Sequence, residues 1–546
     1  MSPTDAGSIS PDGHTVRNLA YRLVAVASLL AIAMSAQAWE HEGSKVRFTE
    51  YREGLVEELR EKGRPYFLLF SAEWCFWCHE FGENTLTDEK VAEYLNANYN
   101  SIFIDADINS AAYVKYRATG LPFTVFLNPD TSPHFRYAGT LYADDFLTVI
   151  EQIKMNVEQG LSVEGNEAKE YPYEPPEKVA LAQLEETAGM FRRGVLENFD
   201  SVSHGLGNGE KAIHPRTFMY LLAGGEGETG KDSIDSVRRA AERAIDRIYD
   251  PVEGGFFRYA ETREWKVPHY EKMADLNAGT VLLLFRLNDL SPSPKLIAAA
   301  DKTLGYLRTS LYSEKSGVFL SFQEADEHYY RLKSSEHRSR TEKPTIIERV
   351  FIDRLAPTVD YLLDVLDYRP DPELKAQIDS SLEFVARELE SGGSLKRYYT
   401  IETGLWSGKG NLQDYVLVAR MFLNASIRLQ SPRYRELARQ TADKAIAEFH
   451  DQETGVLVDP SLGETEDAEF LMEMNGLLAE TLIGINGDGR YSDRIAAIIT
   501  YFSAIGEVLE ERLWDAQDWE FTERYIPYLR AVDAYLSDRK LAAQQQ

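Results

Sequence analysis

The sequence predicts two units, an α/β domain near the N-terminus and an all-α toroid of repeated helical hairpins after it. Residues from about 45 to 160 alternate between short apolar runs and helix-like periods, the rhythm of an α/β layer fold. From 179 to 546 the pattern turns almost wholly helical, with glycine turns that loosely recur. Residues 161–178 lie between, and Tyr171-Pro172-Tyr173-Glu174-Pro175-Pro176 reads there as a stiff, extended linker. Length agrees: 546 residues exceed one ordinary domain, and 44% hydrophobic with 11% aromatic content is ample for sizeable cores.

The first 38 residues read as an export signal. Arg17 and Arg22 precede an apolar run from Leu23 to Met34, and Ser35-Ala36-Gln37-Ala38 follows as an A-x-A cleavage pattern. The run is shorter than the roughly 20 residues that span a bilayer. Cleavage would leave Trp39 first, and an uncleaved form would be a membrane anchor. The expected location is exported, periplasmic or otherwise extracytoplasmic. Cleavage leaves the net charge of −29 unchanged, because Asp5 and Asp12 depart with Arg17 and Arg22. So acidic a chain argues against nucleic acid and anionic lipid as partners.

Within the α/β unit, Tyr51–Lys62 reads as a helix stopped by Gly63 and Pro65. Tyr66–Phe70 is a continuous apolar run, as a buried central strand requires. Asp88–Tyr99 reads as a helix, Ser101–Asp105 as a strand and Ala111–Arg117 as a short helix. Gly120–Leu127 leads into a strand, Asn128-Pro129-Asp130 turns the chain, and His134–Ala138 returns beside it. Tyr142–Glu158 closes as a helix.

After the central strand stands the whole cysteine inventory, in Trp74-Cys75-Phe76-Trp77-Cys78-His79. A lone Cys-x-x-Cys cannot build a disulfide scaffold. Cys75, Cys78 and His79 also lack a distant ligand pair for zinc, so neither metal nor cofactor is expected. The pair can cycle between dithiol and disulfide. Export usually selects structural disulfides, but here no further cysteine exists to form one, so the pair reads as a working redox site.

This order of elements, with Trp-Cys-x-x-Cys after a buried strand and Leu121-Pro122-Phe123-Thr124 before the next, resembles the thioredoxin fold. The resemblance implies that Cys75 is the nucleophile and Cys78 the resolving cysteine. It makes Pro122 the cis-proline that faces the sulfurs, Leu121 the backbone offered to a client strand, and Trp74 the tryptophan before the motif. Two positions depart from the pattern. Leu69 stands where thioredoxin-type reductases carry a buried acid, and Phe76-Trp77 where thioredoxins have Gly-Pro. The direction of electron flow is therefore open. His79 reads as a cation beside a thiol or as an exposed helix residue, and Glu73 is expected to be exposed.

In the helical region, four similar turns carry glycines at 254, 317, 404 and 455. A glycine turn followed by an apolar anchor, between outer and inner helices, explains them and suggests five to seven hairpins. One stretch is denser than packing requires: Gly254-Gly255-Phe256-Phe257-Arg258-Tyr259, then Trp265-Lys266-Val267-Pro268-His269-Tyr270-Glu271-Lys272-Met273. Here the chain resembles the thioredoxin-domain family related to the spermatogenesis-associated thioredoxin-like protein, a domain-of-unknown-function family. Its signature has Phe where Tyr270 stands. The resemblance implies a multidomain chain, an α/β thioredoxin-like fold followed by an all-α (α/α)n toroid. That toroid is six-hairpin-glycosidase-like and similar to the fold of sugar epimerases.

Pro268 suits the first turn of an inner helix, which would put His269 and Glu271 at its mouth with Asp275 a turn further on. Arg258, Tyr259, Trp265, His269 and Glu271 would then line a pocket for a sugar ring or a peptide side chain. Asp414 sits at the matching turn of a later repeat. Paired with Glu271 it would supply two carboxylates for glycosidic chemistry, whereas buried acids in a repeat toroid usually cap loops and pair with arginine. His214-Pro215-Arg216, Glu348-Arg349 and Asp353-Arg354 read as solvated faces or internal ion pairs, and Ser334–Lys343 as an exposed loop.

The expected function is an exported thiol–disulfide oxidoreductase acting on protein thiols or disulfides. Its expected partners are a protein client and an electron-transfer protein, with a toroid that holds the client or a ligand. The alternative is a carbohydrate-active (hydrolase- or epimerase-like) or carbohydrate-binding toroid, with the thioredoxin-like unit as an accessory. A non-catalytic scaffold is the third reading.

Overall fold

The computed structural model describes residues 43–60, 63–161, 175–224, 227–462, 468–504 and 519–545. The expected export signal and most of the expected linker lie outside the described residues.

The first unit is built on five strands: β1 (Thr49–Glu50), β2 (Tyr66–Ser71), β3 (Asn100–Asp105), β4 (Phe123–Leu127) and β5 (Pro133–Ala138). Their order in the sheet is β1-β3-β2-β4-β5. The first three run parallel, and β4 and β5 are antiparallel additions. Strand β2 is buried along its whole length because helices cover both faces. Period-two alternation then divides its side chains. Tyr66, Leu68 and Phe70 pack with Ile102, Ile104 and Val125 on one face. Phe67 and Leu69 pack with Phe81, Phe103 and Phe146 on the other.

The helices of this unit are α1 (Leu55–Leu59), α2 (Phe76–Asn84), α3 (Glu89–Asn98), α4 (Ser110–Lys115) and α5 (Ala143–Gln159). Helix α1 is shorter than its sequence suggests, because Gly54 at φ 78 takes a left-handed turn and keeps residues 51–53 out of the helix. Asp88 caps α3 by accepting the Lys90 and Val91 backbone N–H groups.

The second unit is an α/α toroid. Its helices are α6 (Leu181–Glu197), α7 (Pro215–Ala223), α8 (Gly227–Arg247), α9 (Ala274–Leu290), α10 (Pro294–Thr309) and α11 (Ile352–Val365). They continue as α12 (Pro372–Glu390), α13 (Leu412–Arg428), α14 (Pro432–Phe449), α15 (Ala468–Ile485), α16 (Ser492–Tyr501) and α17 (Trp519–Gln545). Helices α7, α9, α11, α13, α15 and α17 pack each on the next, and α17 returns to α7, closing an inner ring. Outer helices α8, α10, α12, α14 and α16 back the first five, and α6 backs α17. Among the described residues this makes six hairpins. The inner helices are apolar almost all round, as burial on every side demands: α9 buries the whole run Asn277–Phe285. Where α15 crosses α17, a Cβ on Gly476 would lie 2.4 Å from the Tyr528 backbone N, so only glycine fits.

The four glycine turns share one geometry. Gly254, Gly317, Gly404 and Gly455 each have positive φ and donate their N–H to the carbonyl four residues back. A fifth such turn runs from Phe199 to Leu206, where His204 takes the glycine position at φ 62 and donates to the Asp200 carbonyl. Histidine in that place hides the repeat from a search for glycines. No described helix is long and apolar enough to cross a membrane.

Candidate functional site

Strand β2 delivers the cysteines to the N-terminus of α2. Cys75 is the N-cap residue, and its Sγ accepts the Cys78 backbone N–H at 3.3 Å. The two sulfurs are joined as a disulfide. The Leu121–Pro122 peptide bond is cis. Leu69, on β2, packs in the apolar layer with Phe81, so no carboxylate stands at that position.

The disulfide is enclosed. Cys75 is 2% exposed, Cys78 3% and Trp74 4%. What covers them is the toroid: Met273, Phe322, Ile347 and Phe351 form one buried cluster with Ala72, Trp74 and both cysteines. Leu121 and Ile108 pack against the same cluster from the α/β side, and Leu276 and Tyr398 from the toroid side. Trp74 and Phe322 lie with ring centroids 5.4 Å apart, and the Arg258 guanidinium sits 5.0 Å above the Trp74 ring. Of the motif's side chains only Trp77 is exposed.

A charged frame surrounds this apolar centre. Arg349 lies 3.4 Å from both Glu73 and Asp105. Arg397 Nε donates to the Asp107 carbonyl at 3.0 Å, and Asn411 Nδ2 donates to Ser110 Oγ at 2.8 Å. Glu73, expected to be exposed, is half-buried because it faces Arg349 across the contact. His79 is half-buried too, with Nε2 2.6 Å from the Glu73 carbonyl.

Asp107 accepts the Trp74 indole N–H at 2.8 Å. Burial pushes its carboxyl up to about 7; Asp105 and Asp353 add to the rise, while Arg354 and the indole oppose it. The folded chain therefore holds that proton more tightly than the unfolded chain, and stability falls as pH rises from about 4 to about 7. Asp107→Asn keeps an acceptor for Trp74 and abolishes the titration. Its melting temperature is expected to gain on the wild type across that range; parallel curves would contradict the assignment.

The toroid residues named from the sequence fall into different places. Pro268 does not open a helix: Pro268–His269 is a short strand paired with Tyr259–Ala260, and α9 begins only at Ala274. His269 stacks on Tyr259 at 4.0 Å and meets Glu261 at 2.9 Å. Glu271 is 2% exposed, and its Oε2 has no hydrogen-bond partner among the described residues. Arg258 and Glu271 are neighbours, since the Arg258 N–H donates to the Glu271 carbonyl at 3.0 Å.

Two of the residues assigned to the pocket also require correction. Trp265 is a core side chain rather than a pocket wall; it is 1% exposed and its indole N–H donates to the Ser203 carbonyl at 2.9 Å. Asp414 is not a free carboxylate. It closes a capping box with Asn411 at the start of α13 and pairs with Arg397, whose other arm meets Asp353 at 2.6 Å. Buried and paired with Arg397, it is closed to a ligand, as acids that cap loops in a repeat toroid are.

Ser334–Lys343 is also more than an exposed loop. Within it Arg338 is 3% exposed and grips Asp250 with two hydrogen bonds of 2.7 and 2.9 Å. On the toroid surface, Phe384, Tyr399 and Trp406 with Lys315, Arg387 and Glu402 line an open groove of about 620 Å³.

Comparison with known proteins supports the α/β unit. Residues 55–154 match the family model described as a thioredoxin-like domain. The chain is similar to spermatogenesis-associated protein 20 of Rattus norvegicus, 24% identical over 315 residues, covering 53% of this chain and 40% of that protein. It is also similar to the thiol:disulfide interchange protein DsbD of Yersinia enterocolitica, 26% identical over 164 residues, covering 27% and 28%. The match thus spans less than half the length of either relative. Cellobiose 2-epimerase from Spirochaeta thermophila aligns with 66% of this chain and all of its own, with a TM-score of 0.48 and 11% identity.

Proposed function

We propose that this chain is an exported thiol–disulfide oxidoreductase in which Cys75 attacks and Cys78 resolves, while the toroid governs what reaches them. The observation that carries the reading is the placement of Cys75 as the N-cap of α2, in a complete thioredoxin-like frame. In the reduced protein the backbone N–H groups and the positive end of the helix dipole stabilise a thiolate there; such cysteines titrate at roughly 3.5–7.5 instead of about 8.5. The similarity to a thiol:disulfide interchange protein supports the same reaction class.

In the reductive direction, the Cys75 thiolate attacks a client disulfide. A Cys75–client bond forms, and the departing client thiolate takes up a proton. Cys78 then loses its proton and attacks Cys75, restoring the Cys75–Cys78 bond and releasing the second client thiol. The client gains two electrons and the pair loses two. The reverse sequence oxidises a client dithiol. An electron-transfer protein resets the pair in either direction.

A Cys78→Ser variant removes resolution and is expected to accumulate a mixed disulfide through Cys75, visible as a thiol-sensitive mass increase on non-reducing gels. Absence of any trapped species, together with a wild-type dithiol that fails to cycle in a glutathione buffer, would sink the proposal.

A further inference from the structure

The reading above requires a client to reach Cys75, and the structure covers that residue with its own second unit. Four toroid side chains, Met273, Phe322, Ile347 and Phe351, lie on the surface formed by Trp74, the two cysteines and Leu121. That is the surface on which a protein disulfide would have to sit for in-line attack at Cys75. The covering contact has an apolar centre and a charged rim, the composition of a separable interface rather than of a continuous core.

The polar groups at this junction are incompletely satisfied. Asp275 Oδ1, Asp353 Oδ1 and Arg354 Nε are buried without a hydrogen-bond partner among the described residues. Asp353 and Arg354 face Asp107 of the α/β unit, as the mutual electrostatic influence of these groups shows. A buried polar group without a partner costs about 1–3 kcal/mol, and water would relieve that cost on separation. Arg349, 3.4 Å from each of its two carboxylates, is likewise held more loosely than a bidentate pair.

We infer that the toroid rim occupies the client-docking face of the redox unit, and that a protein thiol or disulfide exchanges with Cys75 only after the two units separate. A small dithiol needs far less room and is admitted by smaller openings. The inference rests on the pair being redox-active. Substrate size is then selected before chemistry: the toroid acts as a built-in competitor for the client surface.

The test is the rate at which the Cys75–Cys78 disulfide of the full chain is reduced, read by alkylation of the freed thiols. Two donors are compared, dithiothreitol and a reduced thioredoxin. In both cases a donor thiolate attacks Cys75, a donor–Cys75 bond forms, and Cys78 leaves as a thiolate that takes up a proton. The donor's second thiol then loses its proton and attacks the donor sulfur of the mixed disulfide, releasing Cys75. The donor ends oxidised by two electrons.

The rate with thioredoxin is expected to level off as its concentration rises, because opening becomes limiting. Arg349→Glu, which places a third negative charge between Glu73 and Asp105, is expected to raise that plateau about tenfold or more. It should change the dithiothreitol rate much less. Phe322→Ala repeats the test from the apolar side, without altering charge. A thioredoxin rate that stays linear in concentration, with the same slope in wild type and variants, overturns the inference. A pair that dithiothreitol cannot reduce defeats the redox reading itself, a separate outcome.

Discussion

Replacing Arg397 with alanine is expected to cost about 3–5 kcal/mol of stability, the penalty for breaking a buried ion pair by removing one partner. The reason is geometric. Arg397 is 1% exposed and makes three connections at once: to Asp353 on α11, to Asp414 on α13, and to the Asp107 carbonyl of the α/β unit. Among the described residues no other cation is paired with both carboxylates. Without Arg397, Asp414 loses the cation paired with it while still facing Asp353.

Burial already pushes the Asp414 carboxyl up to about 7; Arg397 opposes that rise and Asp353 adds to it. In the alanine variant it rises further, and the acid takes up a proton at neutral pH. Arg397→Lys is expected to recover only part of the loss, because one ammonium cannot serve two carboxylates and a carbonyl in the planar fork of a guanidinium. Denaturant unfolding of the three proteins measures the series. A lysine variant as stable as wild type would show that charge alone suffices.

The α/β unit was legible because its signals are local. Tyr66–Phe70 is apolar without a break, and the cysteines follow it directly, so strand, helix start and redox pair read off in order. The glycine turns were legible for the same reason, except where His204 stands in the glycine position. Pro268 misled because a proline fits the first turn of a helix and the start of a short edge strand equally well. Arg338 was hidden by composition: Ser334–Lys343 is polar throughout, and nothing local says that one arginine turns inward to Asp250.

Least legible was the covered disulfide. Trp74 and Phe322 are far apart in sequence, and periodicity reports which face of an element is buried, not which distant surface buries it. The motif around Glu271–Met273 carried that information in a form that looked like a ligand pocket. In the structure Lys272 and Met273 pair as a strand with Phe322–Gln323, and Met273 and Phe322 both enter the cluster over the cysteines. Lys272–Met273 thus builds part of the rim that meets the redox site.

That strand is tethered by Lys272, and the second large effect is expected there. Lys272 is wholly buried; its Nζ donates to Asp250 Oδ2 at 2.8 Å and to the Gly254 carbonyl at 2.7 Å, and lies 4.5 Å from the Tyr306 ring centroid. Arg338 grips the same Asp250, and Glu253 lies 3.4 Å from Arg338, so two cations balance two anions. Lys272→Met leaves one buried carboxylate uncompensated and frees the glycine turn from its strand. A loss of about 3–5 kcal/mol is expected, with faster reduction of Cys75–Cys78 by a reduced thioredoxin as Met273 loosens.

Adding Asp250→Asn restores the charge balance, because Arg338 and Glu253 remain as a pair, and should recover part of the stability. It should not restore the slow reduction, since the asparagine cannot re-anchor a strand that has lost its lysine. Equal recovery of both properties would mean that charge balance alone, and not the Lys272 tether, holds the toroid rim over the disulfide.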